Sequence, residues 1–417
     1  MGLAPLLRRA ASPWRGLEGL PPAVWILSAA TLLNRAGTMA LPFLVLYLTK
    51  ALGLPAAQAG QAFVAYGLAA MVAAPAGGWL ADRIGHLRMM MLSLAVSGGL
   101  LFALPLLRAW PAVLALTVAW SLAGEAFRPA AMAILTDLAP VERRKAVFAL
   151  NRLAINLGMS VGPAVGGFLA MHSFRALFWL DGFTSLLSAA VILAFVRVRE
   201  HRPPRERAGD GPRGAWRDGA FLFFILAALP VLVVFFQHEG PLPVFLVRDL
   251  AFPESFYGLL FTVNTVLIVL VEVRLNLATA HWPHRRTLAL GAVLYAVGFG
   301  AIAVVHTKAG ILATVVAWTF GEMMLLPACS DYVAHLAPPE RRGEYMGVWG
   351  LGIGTAFAFG PWLGTWMLDR WGATLLWSSM GALGLCSAAL LLRIRAAGAP
   401  AGPPGPRSAP STGPSPD

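Results

Sequence analysis

The chain has 417 residues, 58% hydrophobic and 12% charged, with a mean hydropathy of +0.69. A soluble domain of this length cannot hide so much apolar surface, so the composition excludes a soluble globular protein and points to an integral membrane protein. The net charge of +12 fits a nucleic-acid partner only if the basic residues cluster on a folded face, and their placement argues otherwise.

Apolar runs long enough to cross a bilayer, at ~20 residues each, fall at 23–48, 56–80, 89–107, 110–135, 145–170 and 174–196. A second set falls at 219–247, 255–275, 287–306, 309–334, 345–368 and 373–393. Backbone polar groups cannot be left unpaired in lipid and the runs do not alternate, so the predicted fold is all-α integral membrane with twelve transmembrane helices. With the N-terminus inside, most of the 32 Lys and Arg residues lie in inside segments. That asymmetry predicts both termini in the cytoplasm and makes the basic charge a report of topology, with no nucleic-acid partner. Cys329 and Cys386 fall inside spans, which argues against a disulfide or a thiolate metal site.

In chain order, residues 1–22 are a short basic N-terminal segment with Arg8, Arg9 and Arg15, followed by a first bundle at 23–196. The first span contains Asn34-Arg35 and then Pro42, which puts a guanidinium ~17 Å into the membrane. Left unpaired there it would cost at least ~2.5 kcal/mol, so Arg35 is expected to face a polar cavity or a carboxylate; a purely structural ion pair is the alternative. The junction after the second span reads Gly78-Trp79-Leu80-Ala81-Asp82-Arg83-Ile84-Gly85-His86-Leu87-Arg88. Its glycines permit a short reversal, and Asp82 is expected at the N-terminus of the third helix, where the helix dipole favours an anion. A plain basic turn explains Arg83 and Arg88 but not Asp82 between spaced glycines.

Span four carries Glu125 and Arg128, three apart and so on one helical face. Span five holds Asn151, Arg152 and Asn156 ahead of Gly158-x-x-x-Gly162-Pro163-x-x-Gly166-Gly167. Glu125, Arg128 and Arg152 lie at similar depth and are expected to form one cluster, functional or merely structural. The glycines let a neighbouring backbone approach, and Pro163 removes a helical bond. Asp181 in span six has Arg35 as a possible partner. Residues 197–218, rich in Arg, Pro and Gly, read as a cytoplasmic linker.

The second bundle is expected at 219–393. Span seven is broken by Pro230 and by Gln237-His238-Glu239-Gly240-Pro241, a pattern tolerated where a helix lines a cavity or packs on protein. Span eight contains Asn264 and ends near Glu272. Span ten carries Glu322, with no Lys or Arg within a turn or two, so either it is protonated for part of a cycle or it is a neutral packing residue. Residues 394–417 are too broken to fold alone and read as a disordered cytoplasmic tail.

A shift of 198 residues maps Trp120 onto Trp318, Pro129 onto Pro327, Gly162-Pro163 onto Gly360-Pro361 and Gly166 onto Gly364, so the chain is two copies of one unit. The Gly78–Arg88 junction resembles the loop between helices two and three of the major facilitator superfamily, with His86-Leu87 standing where that family has paired bases. The Gly158–Gly167 series in span five resembles the antiporter motif of its twelve-span drug:proton branch. The resemblance implies two six-helix bundles with pseudo-twofold symmetry and a central site near the midplane, lined by spans one, four, seven and ten. It also implies proton-coupled efflux of lipophilic or amphipathic small molecules by a bacterial inner-membrane protein.

On that reading Gly78, Asp82, Arg83, Gly85 and Arg88 form a gating loop, and Gly158, Gly162, Pro163, Gly166 and Gly167 the antiporter motif. Asn34, Arg35, Arg128, Gln237, His238 and Asn264 line the substrate cavity. Glu322, Glu239, Glu125 and Asp181 are the candidates for proton coupling, with Glu322 first. The expected partners are a small-molecule substrate, protons and the lipid bilayer, with the chain a monomer. A carrier for another solute, or a non-transporting membrane receptor, is the alternative. No phosphate loop, His-Glu-x-x-His or paired Cys or His at metal spacing is present, so no enzyme activity, cofactor or metal is expected. His238 beside Glu239 would form an acid–base pair, but adjacent residues on an α-helix point about 100° apart.

Overall fold

The computed structural model describes residues 19–139, 143–196, 214–338 and 341–395. The basic lead up to residue 18, most of the linker and the tail beyond residue 395 lie outside the described residues, as do Pro140 and Glu142 of the charged corner after span four. Among the described residues all regular structure is helical. Nine helices there are long and apolar enough to cross a membrane: Ala56–Ile84, His86–Leu106, Trp110–Leu138, Ala146–His172, Phe174–Phe195, Gly219–Asp249, Glu254–Thr279, Lys308–Leu336 and Ala373–Leu391. Three further passes bring them to twelve. Pro22–Gly37 is continued by Leu44–Leu46 and a π-helical turn at Tyr47–Ala51; the others are His284–Ala301 and Arg342–Trp371.

These three fall short for visible reasons. The first pass loses its helix between Thr38 and Phe43, the ninth begins on His284-Arg285-Arg286, and the eleventh is diluted by glycines, of which Gly343, Gly347 and Gly350 have open space beside them. Large apolar side chains such as Leu193, Val273, Leu277 and Val304 point outward, each more than two-thirds exposed. Outside a membrane that surface would be an aggregation hazard; within one it is the lipid-facing girdle.

The passes form two six-helix bundles that meet along spans two and eleven and along spans five and eight. Small residues make both contacts possible. A Cβ at Gly60 would stand 3.0 Å from Trp362 Cα, and one at Gly258 would stand 3.2 Å from Ala164 Cα. The shift of 198 carries Gly60 onto Gly258 and Ala164 onto Trp362, so the two seams are one contact used twice. That is the pseudo-twofold axis expressed in atoms.

Each bundle also packs its Gly-Pro helix on its own broken helix. Span five lies against the break in span one, where a Cβ at Gly158 would reach Ala36 N at 2.8 Å and one at Gly162 would reach Thr38 O at 2.8 Å. Span eleven lies likewise against the break in span seven, with Gly240 against Pro361 and Gly364 against Pro241 and Gln237. Pro163 and Pro361 both sit inside continuous helices.

Between spans two and three the reversal takes a single residue, Gly85, at φ +102°. That is backbone territory a side chain rarely enters. The expected place of Asp82 changes accordingly. Helix two runs on through Ile84, so Asp82 sits in its last turn and Gly85 precedes helix three. Gly78 has open space where a Cβ would be, so close packing does not explain it. The Arg83 guanidinium lies over the Trp79 ring, 3.7 Å from its centroid.

Candidate functional site

The end of the molecule carrying the linker is termed here the linker end. At the opposite end the bundles are closed on each other. Lys50 at the end of span one forms an ion pair with Glu254 at the start of span eight. The Ala57 backbone N–H donates to Asp369 Oδ2 at 2.8 Å, and Asp369 is held in turn by Arg248 at 2.7 Å. Below them Phe43 meets Tyr257 edge to face, with ring centroids 5.2 Å apart.

Toward the linker end the bundles part around a cleft of about 790 Å³. Its wall is largely apolar, from Ala70, Met71 and Ala74 of span two, Phe236 of span seven, and Ile353 and Phe357 of span eleven. Glu125, Arg128 and Glu344 supply its charge. Arg128 and Glu125 are thus where the cavity reading needs them.

Asn34 and Arg35 line a separate cavity of about 90 Å³ within the first bundle, shared with Tyr66, Glu125 and Asp181. Arg35 Nε is buried with no hydrogen-bond partner, so the guanidinium faces the cavity rather than closing an ion pair. Asp181, considered as a partner for Arg35, instead accepts the backbone N–H groups of Met39 at 3.1 Å and Ala40 at 2.9 Å. It therefore satisfies donors that the break in span one releases, a need as strict in lipid as at any buried helix end. Asn34 Nδ2 donates to Ser185 Oγ of the same span six at 3.0 Å.

The expected cluster of Glu125, Arg128 and Arg152 does not form. Arg152 turns away to Glu272 of span eight at 2.6 Å, bridging the two bundles. Glu125 accepts from Tyr66 OH at 2.9 Å, and the helix of span four is interrupted just there, one helix ending at Glu125 and the next starting at Phe127. The even helical face assumed for Glu125 and Arg128 is therefore broken between them.

Gln237, His238 and Asn264 lie off the cleft, inside the second bundle. The span-seven break forms a 3-10 turn at Phe236–His238 that leaves Phe236 on the cleft wall and tucks its neighbours behind it. Gln237 Nε2 donates to Val233 O at 2.8 Å and Gly360 O at 3.0 Å. The His238 ring stacks near Trp318 and meets Phe261 edge to face. Because the backbone there is not α-helical, the angular objection to a His238–Glu239 pair falls: Nε2 stands 3.4 Å from Glu239 Oε1. Glu239 Oε2 is buried without a partner.

Glu322, the lone acid of the sequence, has a donor. Asn264 Nδ2 reaches Glu322 Oε2 at 2.9 Å and Thr319 Oγ1 at 3.0 Å, and the carboxylate is within electrostatic reach of His238 and Glu272. The arrangement repeats the first bundle. The shift of 198 carries Tyr66 onto Asn264 and Ser121 onto Thr319, and Ser121 Oγ donates to Tyr66 O at 2.7 Å. Each bundle thus presents one acid from its fourth helix to a donor at the same place on its second. Glu322 is one residue out of register with Glu125, and span four is interrupted just after Glu125 whereas Lys308–Leu336 is continuous.

A further cluster went unseen in the sequence. His284 at the start of span nine meets Asp331 and His335 near the end of span ten. His284 lies some fifty positions before Asp331 and His335, which are themselves four apart, so no short spacing joins all three.

The sequence pattern of the Major Facilitator Superfamily matches residues 26–248 and again 238–415. The chain belongs to that superfamily of membrane carriers and is a secondary carrier with a multi-pass helical fold. An uncharacterized MFS-type transporter of Bacillus subtilis, YqjV, is 25% identical over 373 residues, covering 86% of this chain and 89% of its own. The Na(+), Li(+), K(+)/H(+) antiporter of Planococcus maritimus is 23% identical over 349 residues, covering 75% and 81%. Among solved structures, a POT family transporter in complex with 5-aminolevulinic acid superimposes with a TM-score of 0.77 at 17% identity, covering 91% of this chain and 97% of that one. At that identity the likeness is one of fold.

Proposed function

We propose that the chain exports lipophilic or amphipathic small molecules in exchange for protons, acting as a monomer by alternating access in the bacterial cytoplasmic membrane. The linker end is cytoplasmic on this reading, and the conformation is the one open to the cytoplasm. The observation that carries the proposal is the cleft of about 790 Å³ between the bundles, apolar on most of its wall. Such a wall suits an apolar cargo, and its volume is that of a drug-sized site. Charge on the wall is confined to a few groups, which orient a substrate without demanding a particular polar partner.

Substrate and proton then use different places. Cargo sits in the cleft against Glu125 and Arg128, while the proton binds inside the second bundle at Glu322, with Glu239 and His238 beside it. Glu125 is the acid through which the cleft responds, and Asp181 keeps the first span broken. The coupling runs through span seven, whose break carries Phe236 on the cleft side and His238 on the proton side.

The test uses proteoliposomes and inside-out vesicles with a fluorescent lipophilic cation. Uptake is expected when the lumen is acid, and Glu322→Gln is expected to abolish the response to the pH gradient while leaving dye binding intact. Unchanged pH-driven uptake in Glu322→Gln would remove the proton role of that residue. Uptake only with the opposite gradient would make the carrier an importer. The likeness to the Planococcus antiporter favours one second reading, exchange of monovalent cations for protons; dissipation of a pH gradient by Na+ or K+ without any organic substrate would select it.

A further inference from the structure

We propose that His284, Asp331 and His335 form a site for a divalent transition metal of the zinc class, clipping spans nine and ten together at the linker end. The donor atoms of the three side chains lie within 4.8 Å of one another. His284 Nε2 stands 2.7 Å from Asp331 Oδ2, and His335 Nδ1 stands 3.4 Å from Asp331 Oδ1. The two imidazole rings meet edge to face at 5.2 Å, and His284 also packs on Tyr332 at 5.6 Å.

The chemistry selects the ion. Two neutral imidazoles and one carboxylate are the donor set of zinc-like metals, whereas calcium and magnesium demand mostly oxygen. A tetrahedral ion with bonds of ~2.0–2.1 Å holds its donors roughly 3.4 Å apart, so the present spacing closes with small side-chain rotations. Asp331 and His335 are the movable members, with side chains 59% and 55% exposed, His335 giving up the 3.0 Å contact of its Nδ1 with Asp331 O. His284 is the anchored member at 20%. Its Nε2 already faces the carboxylate, so a metal takes the place of the proton shared between them, and the neutral ring carries its proton on Nδ1 instead. A cavity of about 280 Å³ lies alongside, bordered by Asn276, Thr279, Trp282 and Thr287. It gives the ion an entry path and room for the water that completes a three-ligand shell.

The position gives the clip a consequence. His284 is the second-copy counterpart of His86, next to the Gly85 reversal, while Asp331 and His335 end the same helix that carries Glu322. Under the shift of 198 their first-copy counterparts are Ala133 and Asp137, so the first bundle lacks this donor set. Metal would tie the span-nine entry to span ten in one bundle only.

The experiment uses full-length protein in detergent, purified without a polyhistidine tag and stripped with a chelator. Titrated Co2+ is expected to give the visible absorption of a tetrahedral nitrogen and oxygen shell, saturating at about one ion per chain. Zn2+ should displace it and raise the melting temperature, and Mg2+ should do neither. His284→Ala, Asp331→Asn and His335→Ala should each weaken binding by about tenfold or more with an unchanged melting temperature in chelator. X-ray absorption of the wild-type zinc form, which depends on no variant, should show two imidazoles in the shell. Absence of saturable Co2+ and Zn2+ binding, a shell without imidazole, or undiminished binding in a His284→Ala/His335→Ala protein would each overturn the proposal.

Discussion

Substituting Gly167 by Ala probes the seam that closes the molecule at the end opposite the linker. Gly167 lies in span five, and a Cβ built on it would stand 2.8 Å from both Glu254 O and Ser255 Cα, backbone atoms at the start of span eight. Both are main chain, beside the ion pair of Glu254 with Lys50, so neither retreats by a side-chain rotation. Overpacking of this kind costs about 1–3 kcal/mol. The clash exists only while the opposite end is closed, so the cost falls on one state of the cycle. A differential of that size moves the ratio of the two states by roughly 5- to 150-fold toward the one open at the opposite end.

The measurement is a distance distribution between spin labels at exposed Ala51 and Arg370, one in each bundle, in a background with Cys329 and Cys386 replaced by Ser. Gly167→Ala is expected to enlarge the long-distance population, while Gly78→Ala, where a Cβ meets nothing within 4 Å, leaves it unchanged. An unaltered distribution in Gly167→Ala, with an unaltered melting temperature, would refute the reasoning that this glycine is required for closure.

Two further outcomes follow from the hydrogen bonds of the site. Asp181→Ala strips the acceptor from the Met39 and Ala40 N–H groups, and leaving each buried donor unsatisfied costs about 1–3 kcal/mol; a lowered melting temperature is expected, with Asp181→Asn intermediate. Equal melting of all three proteins would deny Asp181 its capping role. Asn264→Ala removes the Nδ2 donor to Glu322, and leaving a buried acceptor unsatisfied costs about 1–3 kcal/mol. Its transport response to pH is expected to move, whereas Tyr66→Phe, the equivalent change in the first bundle, is expected to alter substrate affinity more than the pH response. Identical pH profiles for wild type and Asn264→Ala would contradict the separation of proton and substrate sites.

Much of the architecture was legible in the sequence because membrane and repeat impose strong, local signals. Apolar length marks the spans, and the 198-residue period marks two equivalent units. The Gly-Pro series marks the helices that must approach a neighbour closely. The candidate site was less legible. Glu125 and Arg128 were expected at the cavity because the family resemblance puts span four on its wall, and both border the cleft. His238 and Gln237 read as equally good candidates, yet they face inward, since the local geometry of the span-seven turn, rather than residue type, decides which neighbour meets the cleft. Asp181 looked like a counter-ion because charge suggests charge; the break in span one offered it backbone donors instead.

The sequence by itself determined that the chain crosses a membrane as helices, that its two halves repeat, and where helices are small enough to touch. These are properties of composition and period, carried by each segment regardless of what lies beside it. Tertiary structure alone decided which acids meet which donors. Tyr66 and Asn264 occupy equivalent positions but are chemically unlike, so no sequence comparison pairs them with Glu125 and Glu322. A register offset of one residue hides the equivalence until the helices are placed side by side. The same holds for His284, Asp331 and His335, brought together only by the packing of span nine on span ten.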